Sequence, residues 1–294
     1  MSKSLRITFI IILSLLAAGL TALFVMLIKN DSSFFIFNFF SKESKELIID
    51  EKYENVYENI EISSEDGNIY IEHSDTNDIK VVIYGKKDNS YVKTDNNTLY
   101  IKGDTEKCSF FCFNHEYARI EVYLPQEYDK KLLIDGKTGD VKIKEFNSLT
   151  SEITTTTGDI EIEELNSLKA KTKTGDINIR KIDNADIKVT TGDIDINEIN
   201  KVEIDSTTGD IDIKKINNYV QISVTTGDVN INDMELTENS SIRSTTGDVY
   251  INSSNEFYIN ASSSTGDIKI KNNYRTAEYE LKIKTTTGDI KVEN

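Results

Sequence analysis

The sequence predicts an all-β protein, a single-stranded, right-handed β-solenoid (β-helix) of short coils, preceded by one N-terminal transmembrane helix. Three observations lead to this expectation. A T-G-D signature recurs along most of the chain, aliphatic and polar residues alternate on both sides of it, and one long uncharged segment lies near the N-terminus. Only one proline and no tryptophan occur. Isoleucine and threonine favour strands, while asparagine and aspartate favour turns and solvated faces.

The uncharged segment covers residues 7–28, ITFIIILSLLAAGLTALFVMLI. As a helix with a rise of about 1.5 Å per residue it would span about 33 Å, enough to cross the hydrocarbon core of a bilayer. Lys3 and Arg6 precede it, so the positive-inside rule places the N-terminus in the cytoplasm and the chain after residue 30 outside it. A cleaved signal peptide is the alternative, but the apolar run continues through 24–28, past the small residues of any cleavage site. We therefore predict a single-pass signal-anchor in the cell membrane.

Composition divides the chain into four segments. Residues 1–30 form the cytoplasmic tip and the transmembrane helix, and residues 31–52 form an aromatic juxtamembrane linker. The phenylalanines of this linker, in DSSFFIFNFFSKE, suit either the headgroup interface or a cap on the first strands. Residues 53–135 contain nine of the 14 tyrosines and are expected to form irregular β coils. Residues 136–294 carry the T-G-D repeats.

The repeat has a period typical of solenoids. Its glycine stands at positions 139, 158, 175, 192, 209, 227, 247, 266 and 288, so the successive intervals are 19, 17, 17, 17, 18, 20, 19 and 22. The stretch TTGDIDI occurs at 190–196 and again at 207–213. Ile187 and Val189 alternate with polar residues before one corner, and Ile194 alternates after it. Each unit therefore predicts a strand, a TTGD corner, a second strand and a second corner, in coils of about 17 to 20 residues.

An antiparallel meander and a β-solenoid both fit such a unit. In the meander, Gly-Asp would be a two-residue hairpin turn. In the solenoid, equivalent residues stack about 4.8 Å apart on neighbouring coils. Identical residues recur at matching positions, and the longest insertion, KNNYRTAEYELK before Gly288, lies opposite the T-G-D corner. A meander would also need a second layer over its apolar face, and no helical segment could supply it. The solenoid is therefore the predicted fold.

These features resemble a known family. Residues 60–294 are similar to the bacterial β-strand-repeat "putative adhesin" family, which includes the LiaG-like membrane-anchored proteins of Gram-positive envelope-stress operons. The resemblance rests on the T-G-D-[IV]-x-I units, on LYIKG at 99–103 and on IEVYLPQEYDKKLLIDGKTGDVKI at 120–143. SSEDGNIYIE at 63–72 resembles a degenerate earlier coil with Gly67 in its corner. The resemblance implies the fold and an extracellular location at the cell envelope, and it supplies no catalytic residues.

The corner residues have a structural and a functional interpretation. Structurally, glycine supplies a positive φ, and aspartate bonds its own backbone in the turn. Functionally, stacked aspartates could form a cation-binding column, because Ca²⁺ accepts carboxylate oxygens in a flexible shell. The column would contain Asp140, Asp159, Asp176, Asp193, Asp210, Asp228, Asp248, Asp267 and Asp289. The sequence lacks the double glycine of the known calcium-binding β-roll motif GGxGxDxUx. We expect architecture, with calcium binding as the alternative.

Charge and motif content restrict the function. The chain has 50 acidic against 34 basic residues, a net charge of −16, which excludes nucleic acid as a partner. His73 and His115 are the two histidines, and neither stands near a repeated acid–base pair. Signatures of nucleotide-binding loops and of serine hydrolases are absent from the sequence. We therefore expect no enzyme, no catalytic residues, no cofactor and no assigned metal site, with a wall-active enzyme as the least favoured alternative.

Cys108 and Cys112 stand in KCSFFCFNH. In an extended strand these residues would lie about 13 Å apart, too far for a disulfide, so a bridge requires a loop or a helical turn. An extracytoplasmic location favours the disulfide. Free thiols remain open, as does a weak zinc site completed by His115.

The sequence thus predicts a non-enzymatic adhesin-like or scaffold module at the bacterial cell envelope, with an unidentified cell-wall or protein partner and a link to the envelope-stress response. The C-terminal residues TTTGDIKVEN end within a strand. This predicts an uncapped terminal coil whose edge is either protected by Lys291 and Glu293 or used for pairing with another chain.

Overall fold

The computed structural model describes residues 42–54, 56–105, 116–253 and 255–293. One compact unit comprises Glu43–Glu106 and Tyr117–Asn294, and the fold described below is that of this unit. The predicted transmembrane segment 7–28 and the cysteines lie outside the described residues. Among the residues that are described, no helix is long and apolar enough to span a membrane.

The described chain consists of strands and one short 3-10 helix, Lys87–Asn89. The strands preceding the first T-G-D corner are β1 (Lys42–Glu43), β2 (Leu47–Tyr53), β3 (Asn59–His73), β4 (Ile79–Tyr84), β5 (Tyr91–Asp95), β6 (Thr98–Lys102), β7 (Glu116–Leu124) and β8 (Lys131–Thr138). The strands of the repeats are β9 (Val141–Thr154), β10 (Ile160–Thr174), β11 (Ile177–Thr191), β12 (Ile194–Thr208), β13 (Ile211–Thr226), β14 (Val229–Met234), β15 (Ser240–Thr246), β16 (Val249–Ser253), β17 (Tyr258–Thr265), β18 (Ile268–Ile270), β19 (Glu280–Thr287) and β20 (Ile290–Glu293).

Equivalent residues of successive coils are paired in parallel. Ile177 of β11 pairs with Ile160 of β10 on one side and with Ile194 of β12 on the other, which is one repeat unit away in each direction. In the regular part of the stack one coil is a single long strand, bent near its middle and followed by the Gly-Asp corner. The pairing is that of a solenoid-like repeat and excludes the meander. The right hand of the coil stays a prediction.

The alternation of residue types creates one continuous core. In β11 the side chains of Ile177, Ile179, Ile187 and Val189 are buried, and the residues next to them along the strand are exposed or partly exposed. Ile182 is buried where the alternation shifts. The positions of Ile177 and Ile179 carry isoleucine in the neighbouring coils as well, so these side chains stack into columns, whereas the position of Val189 is threonine in β10 and serine in β12.

The N-terminal end of the stack is not built in chain order. Strand β3 lies between β6 and β7 on one side and β8 and β9 on the other. The outer coil at this end is therefore formed by β6 and β7. Antiparallel strands cover it, since β5 pairs with β6, β4 pairs with β7, and β2 pairs with β4. The Gly67 carbonyl contacts the first T-G-D corner at Gly139, as expected for a degenerate coil.

The C-terminal end shows a corresponding rearrangement. Strand β19 lies between β15 and β17, and β20 lies between β16 and β18. The last coil in the sequence is therefore inserted one position inside the stack, and β17 with β18 forms the outermost coil. The expectation that TTTGDIKVEN ends in an uncapped coil is wrong, because equivalent alternating coils do not reveal their spatial order. The exposed edge belongs to residues 258–270.

Candidate functional site

The glycine of each T-G-D corner adopts a conformation that other residues rarely adopt. Its φ lies between +124° and +146° at all nine corners. Backbones also approach closely here, because a Cβ on Gly192 would lie 2.1 Å from the carbonyl oxygen of Gly175. Glycine is required both by the left-handed dihedral angle and by the stacking of corners. The predicted positive φ is confirmed.

The aspartate after each glycine bonds to the neighbouring coil. The backbone N–H of Asp193 donates to Oδ1 of Asp176 at 2.8 Å, and the N–H of Asp210 donates to Oδ1 of Asp193 at 2.8 Å. Equivalent bonds of 2.7–2.9 Å run from Asp159 to Asp140, Asp176 to Asp159, Asp228 to Asp210, Asp248 to Asp228, Asp289 to Asp248 and Asp267 to Asp289. We name these nine corner residues the Asp ladder. Eight of the nine carboxylates, all except that of Asp267 in the outermost coil, accept a hydrogen bond from the next coil rather than from their own turn, which corrects the expected local bond.

The first member of the hydrogen-bonded column is an asparagine. Oδ1 of Asn68 accepts the backbone N–H of Asp140 at 2.9 Å, the same bond that the aspartates make above it. A neutral amide thus performs the structural task of the carboxylate. The bond needs an acceptor oxygen at this position, and a negative charge is not essential for it.

Negative charge nevertheless accumulates beside the ladder. Burial raises the pKa of Asp195, and the neighbouring charges of Asp212 and Asp193 raise it further. The described part of the chain contains no group of three or more His, Cys, Asp or Glu side chains arranged to hold a metal ion. The calcium-binding column stays a sequence-based hypothesis.

An open groove lies on the surface formed by the irregular strands. It encloses about 390 Å³ and is lined by Glu61, Ile62, Ser63, Tyr91, Tyr100, Ile101, Leu133, Ile134, Asp135, Glu152 and Thr154. Tyr91 is 43% exposed. The Nζ atom of Lys93 lies 5.2 Å from the ring centroid of Tyr91 and 5.3 Å from that of Tyr100, so one cation contacts both rings. The groove therefore combines aromatic surface with carboxylates and hydroxyls.

A second polar cluster surrounds Arg119. Its guanidinium carbon lies 5.1 Å from the ring centroid of Tyr70, and its Nη1 bonds Oε2 of Glu43 at 3.1 Å. It also forms an ion pair with Glu121, which accepts the hydroxyl of Tyr123 at 2.9 Å. We name these five residues the Arg119 cluster. Because Arg119 pairs with both Glu43 and Glu121, the cluster presents a net negative charge rather than a free cation.

The titration of the cluster reflects these contacts. Burial would raise the pKa of Glu43, but hydrogen bonds from Asn68 and Tyr70 and the charge of Arg119 lower it overall. Burial, reinforced by the hydrogen bond to Glu121, raises the pKa of Tyr123 to about 12. Both groups therefore hold their protonation states through the neutral range.

Of the two histidines that the sequence analysis considered for chemistry, the structure describes His73. His73 stacks against Phe146 at 4.7 Å between ring centroids. His115 and both cysteines lie outside the described residues, so the disulfide, thiol and zinc alternatives stay open. Sequence reasoning missed the groove and the Arg119 cluster. The available signal was the concentration of tyrosines at 53–128, which gives no indication of which rings are exposed.

Comparisons with known proteins concern most of the chain. Residues 57–293 match the model of the Toastrack DUF4097 family. No curated protein matches the chain. A "putative adhesin" of Bacteroides fragilis is similar in structure, with 18% identity and a TM-score of 0.43, over 85% of this chain and 99% of that one. A "putative lipid binding protein" of Parabacteroides distasonis has 14% identity and a TM-score of 0.44, over 86% and 100% of the two chains. A "putative adhesin" of Parabacteroides merdae has 10% identity and a TM-score of 0.40, over 85% and 98%.

Proposed function

The chain belongs to the Toastrack DUF4097 family, and from the resemblance of its T-G-D units to putative adhesins we propose that it is a non-enzymatic adhesin-like module at the bacterial cell envelope. In this proposal residues 7–28 anchor it in the membrane and the repeat unit faces outward, where it binds a cell-wall component. The uncharged segment after Lys3 and Arg6 supports the anchor and its orientation. A link to the envelope-stress response rests on the resemblance to LiaG-like proteins.

The groove at Tyr91 and Tyr100 is the observation that carries the binding role. Tyr91 is exposed and Tyr100 is partly exposed. Such rings offer flat apolar surface with a polar edge, and carboxylates beside them accept hydrogen bonds from a ligand's hydroxyl groups. Glu61, Asp135 and Glu152 provide such acceptors in the lining of the groove, and Glu152 is also paired with Lys131 and Lys169 at 3.4 Å. Rings and acceptors together suit a polyhydroxylated ligand, so we assign the groove to the glycan strands of the cell wall.

The non-enzymatic role is supported by how the repeated acids are used. The corner carboxylates accept backbone amides of the next coil. Glu164 is the most buried acid of the regular coils, and its carboxylate accepts hydrogen bonds from Lys181 at 2.7 Å and from Arg180 at 3.2 Å. Carboxylates held in such bonds serve architecture, whereas a general acid or base needs access to a substrate proton.

Cosedimentation with isolated peptidoglycan sacculi tests the proposed ligand. The full-length chain in detergent should sediment with sacculi, and the Tyr91→Ala/Tyr100→Ala double variant should lose most of this binding. Tyr250→Ala is the matched control, since Tyr250 also contacts a lysine, Lys291, at 5.0 Å, but on a distant coil. Equal binding by all three proteins would show that the groove does not bind the sacculi. Recovery of an envelope protein instead of glycan would assign the module to scaffolding.

The alternative function is a cation-dependent module that uses the Asp ladder. The proximity of Asp193, Asp195 and Asp212 favours it: burial raises the pKa of Asp195 first, the charges of the other two raise it further although Lys214 lowers it, and a bound cation would relieve their repulsion. Thermal unfolding of the full-length chain in EDTA, Ca²⁺ and Mg²⁺ discriminates the two functions. A calcium-specific rise of the midpoint, abolished in Asp193→Asn/Asp210→Asn, would support the cation site, and an unchanged midpoint would leave the ladder a structural feature.

A further inference from the structure

A second open groove lies on the regular coils. We name the groove at Tyr91 and Tyr100 the first groove and this one the second groove. The second groove encloses about 610 Å³, and its lining includes Lys169, Asp186, Glu203 and Tyr219. The ring of Tyr219 is partly exposed, and its hydroxyl donates to Oε1 of Gln221 at 3.1 Å. Like the first groove, the second therefore offers aromatic surface beside carboxylates.

The pairing register places the two grooves in one row of residues. Followed from strand to strand, with each residue paired to the next, the row is Tyr100, Glu61, Leu133, Glu152, Lys169, Asp186 and Glu203. Paired residues of parallel strands point to the same face of a sheet, and none of these seven is buried. The first four line the first groove and the last three line the second. The two grooves are therefore consecutive sections of one surface.

The row runs along the axis of the stack. Tyr100 lies in β6, and Tyr219 lies in β13, seven strands further on, where its neighbour in β12 is Lys201. Because neighbouring strands lie about 4.8 Å apart, the two tyrosines are separated by about 34 Å along the axis. Any single ligand that contacts the aromatic surface of both grooves must therefore be an extended chain of about this length.

The charges of the row indicate what kind of chain it accepts. Four carboxylates, those of Glu61, Glu152, Asp186 and Glu203, face one cation, Lys169, whose Nζ lies 3.4 Å from Oε1 of Glu152. In the part of the chain that the structure describes, Glu61, Asp186 and Glu203 form no ion pair or side-chain hydrogen bond. Their oxygens are available to accept hydrogen bonds from a ligand, and their charge repels a polyanion.

We propose that the two grooves bind one glycan strand, which lies along the stack axis with sugar rings on Tyr91 and Tyr100 at one end and on Tyr219 at the other. This inference rests on the proposed binding of wall glycan by the first groove and assigns the second groove to the same strand. A polysaccharide fits the row because it is long, supplies hydroxyl donors and presents the apolar faces of its rings to aromatic side chains.

Two linked contacts make the affinity depend on the length of the glycan. Once a strand is bound at the first groove, its contact with the second groove is intramolecular, so the overall affinity exceeds that of either groove alone. A disaccharide is too short to reach both grooves and gains nothing from this linkage. The length dependence therefore distinguishes one extended site from a single local groove.

Fluorescence anisotropy of the full-length chain in detergent tests this inference. The probes are labelled, peptide-free glycan strands from sacculi and labelled disaccharides released from them. The native chain should bind the strands about tenfold or more tightly than the disaccharide. Tyr219→Ala should weaken strand binding about fivefold or more, and it should leave disaccharide binding nearly unchanged because the first groove supplies two rings.

Tyr258→Ala is the matched control. Tyr258 and Tyr219 each stand eight residues before a corner glycine, and both are partly exposed, but Tyr258 lies in the outermost coil and lines neither groove. Its removal should change neither affinity. The Tyr91→Ala/Tyr100→Ala variant should lose disaccharide binding as well as strand binding, which separates the two grooves. Equal melting temperatures of the variants exclude unfolding as the cause of any loss.

The outcomes separate this inference from the proposed function. Unchanged strand affinity in Tyr219→Ala, or an equal loss in Tyr258→Ala, would overturn the inference and leave the first groove as a glycan site on its own. Equal affinity of the native chain for strands and disaccharides would do the same. Binding only to strands that keep their stem peptides would make the peptide the ligand and overturn both proposals, as would the absence of any binding.

Discussion

The two ends of the coil stack differ in how their outermost coil is covered. At both ends the terminal coil of the sequence is inserted one position inside: β3 lies beneath β6 and β7, and β19 with β20 lies beneath β17 and β18. At the N-terminal end antiparallel strands close the outer coil, and charged residues occupy the strands that remain at the edge. At the C-terminal end no described strand covers the outer coil, and the side chain of Asn273 bonds the backbone N–H and carbonyl of Ile259 in β17.

This difference shows that fixing the outer coil and covering its edge are separate tasks. Inserting the first or the last coil of the sequence fixes the outer coil by pairing it with β3 at one end and with β19 and β20 at the other, so the stack does not depend on a fraying terminus for its last layer. Once the outer coil is fixed, its edge can be covered to different extents. The N-terminal end uses antiparallel strands, whereas at the C-terminal end the side chain of Asn273 bonds the outer side of β17 at Ile259.

Deleting residues 280–294 should have the largest effect. The outer coil pairs only with β19 and β20 among the described strands, so removing one coil in sequence should release two coils in space. Hydrogen exchange should show loss of protection at 258–270, while β10–β13 retain theirs as an internal control. Full protection of 258–270 in the truncated chain would mean that β17 can move inward and pair with β15, and the inserted order would then be unnecessary for stability.

Corner glycines should show the next largest effect, graded by position. In Gly192→Ala the new Cβ would lie 2.1 Å from a backbone oxygen at a left-handed φ, and we expect a loss of about 2 to 4 kcal/mol in the free energy of unfolding. Gly266→Ala has a similar clash, at 2.2 Å, but lies in the outer coil, where local fraying should reduce the loss.

Urea unfolding measures both variants against Gly136→Ala. At Gly136 a new Cβ would find its nearest neighbour 3.7 Å away, at Cγ2 of Thr155, and φ is not in the left-handed region. This control should change stability by less than about 0.5 kcal/mol. Equal losses for the three substitutions would show that the corner geometry is not the source of the requirement.

The contrast between the two ends also marks how much the sequence could predict. Alternating residues such as Ile194 and Ile196, which recur at the same place in neighbouring repeats, were enough for the all-β class, the parallel stacking and the corner. They could not give the order of coils, because β17, β19 and β15 all present the same alternation. Two weak signals were present in the sequence. Ala261 is smaller than Ile283 and Ile242 at the same position of inner coils, and the long interval before Gly288 accommodates the returning connection.

The candidate sites were less predictable than the fold for a related reason. The bonds of the Asp ladder depend on the spatial order of the corners. Asn68 could be identified as the first member of this column only from the hydrogen bond that it accepts from Asp140. The groove depends on antiparallel pairing of β5 with β6, where Asn96 and Asn97 form the turn with positive φ. Composition located the tyrosines, but only tertiary structure determined that Tyr91 is exposed.

Substitutions in the Asp ladder should have moderate effects that depend on the acceptor. Asp210→Ala removes the oxygen that accepts the N–H of Asp228 at 2.8 Å and should cost about 1 kcal/mol. Asp210→Asn keeps an acceptor oxygen, as Asn68 does at the N-terminal end, and should be neutral or slightly stabilising because it removes a repelling charge. Thermal melting of the two variants would contradict this account if Asp210→Asn proved the more harmful.

Acidification should have the smallest effect, and it should change the stability contributions of the two regions in opposite directions. Glu43, at the N-terminal end, has a lowered pKa, so its contribution to stability is present above its unfolded value of 4.5 and is lost as pH falls through the folded value. Asp195, in the regular stack, has a pKa raised above 3.8, so the folded state binds the proton first and stability rises as pH falls through its folded value. Urea unfolding midpoints of Glu43→Gln and Asp195→Asn between about pH 6 and pH 3 measure the contributions of these two carboxyl groups to stability. Glu43→Gln should flatten the acid-induced loss and Asp195→Asn should remove the opposing gain. Indistinguishable pH profiles would show that neither the paired N-terminal cluster nor the like-charged stack controls the response to acid.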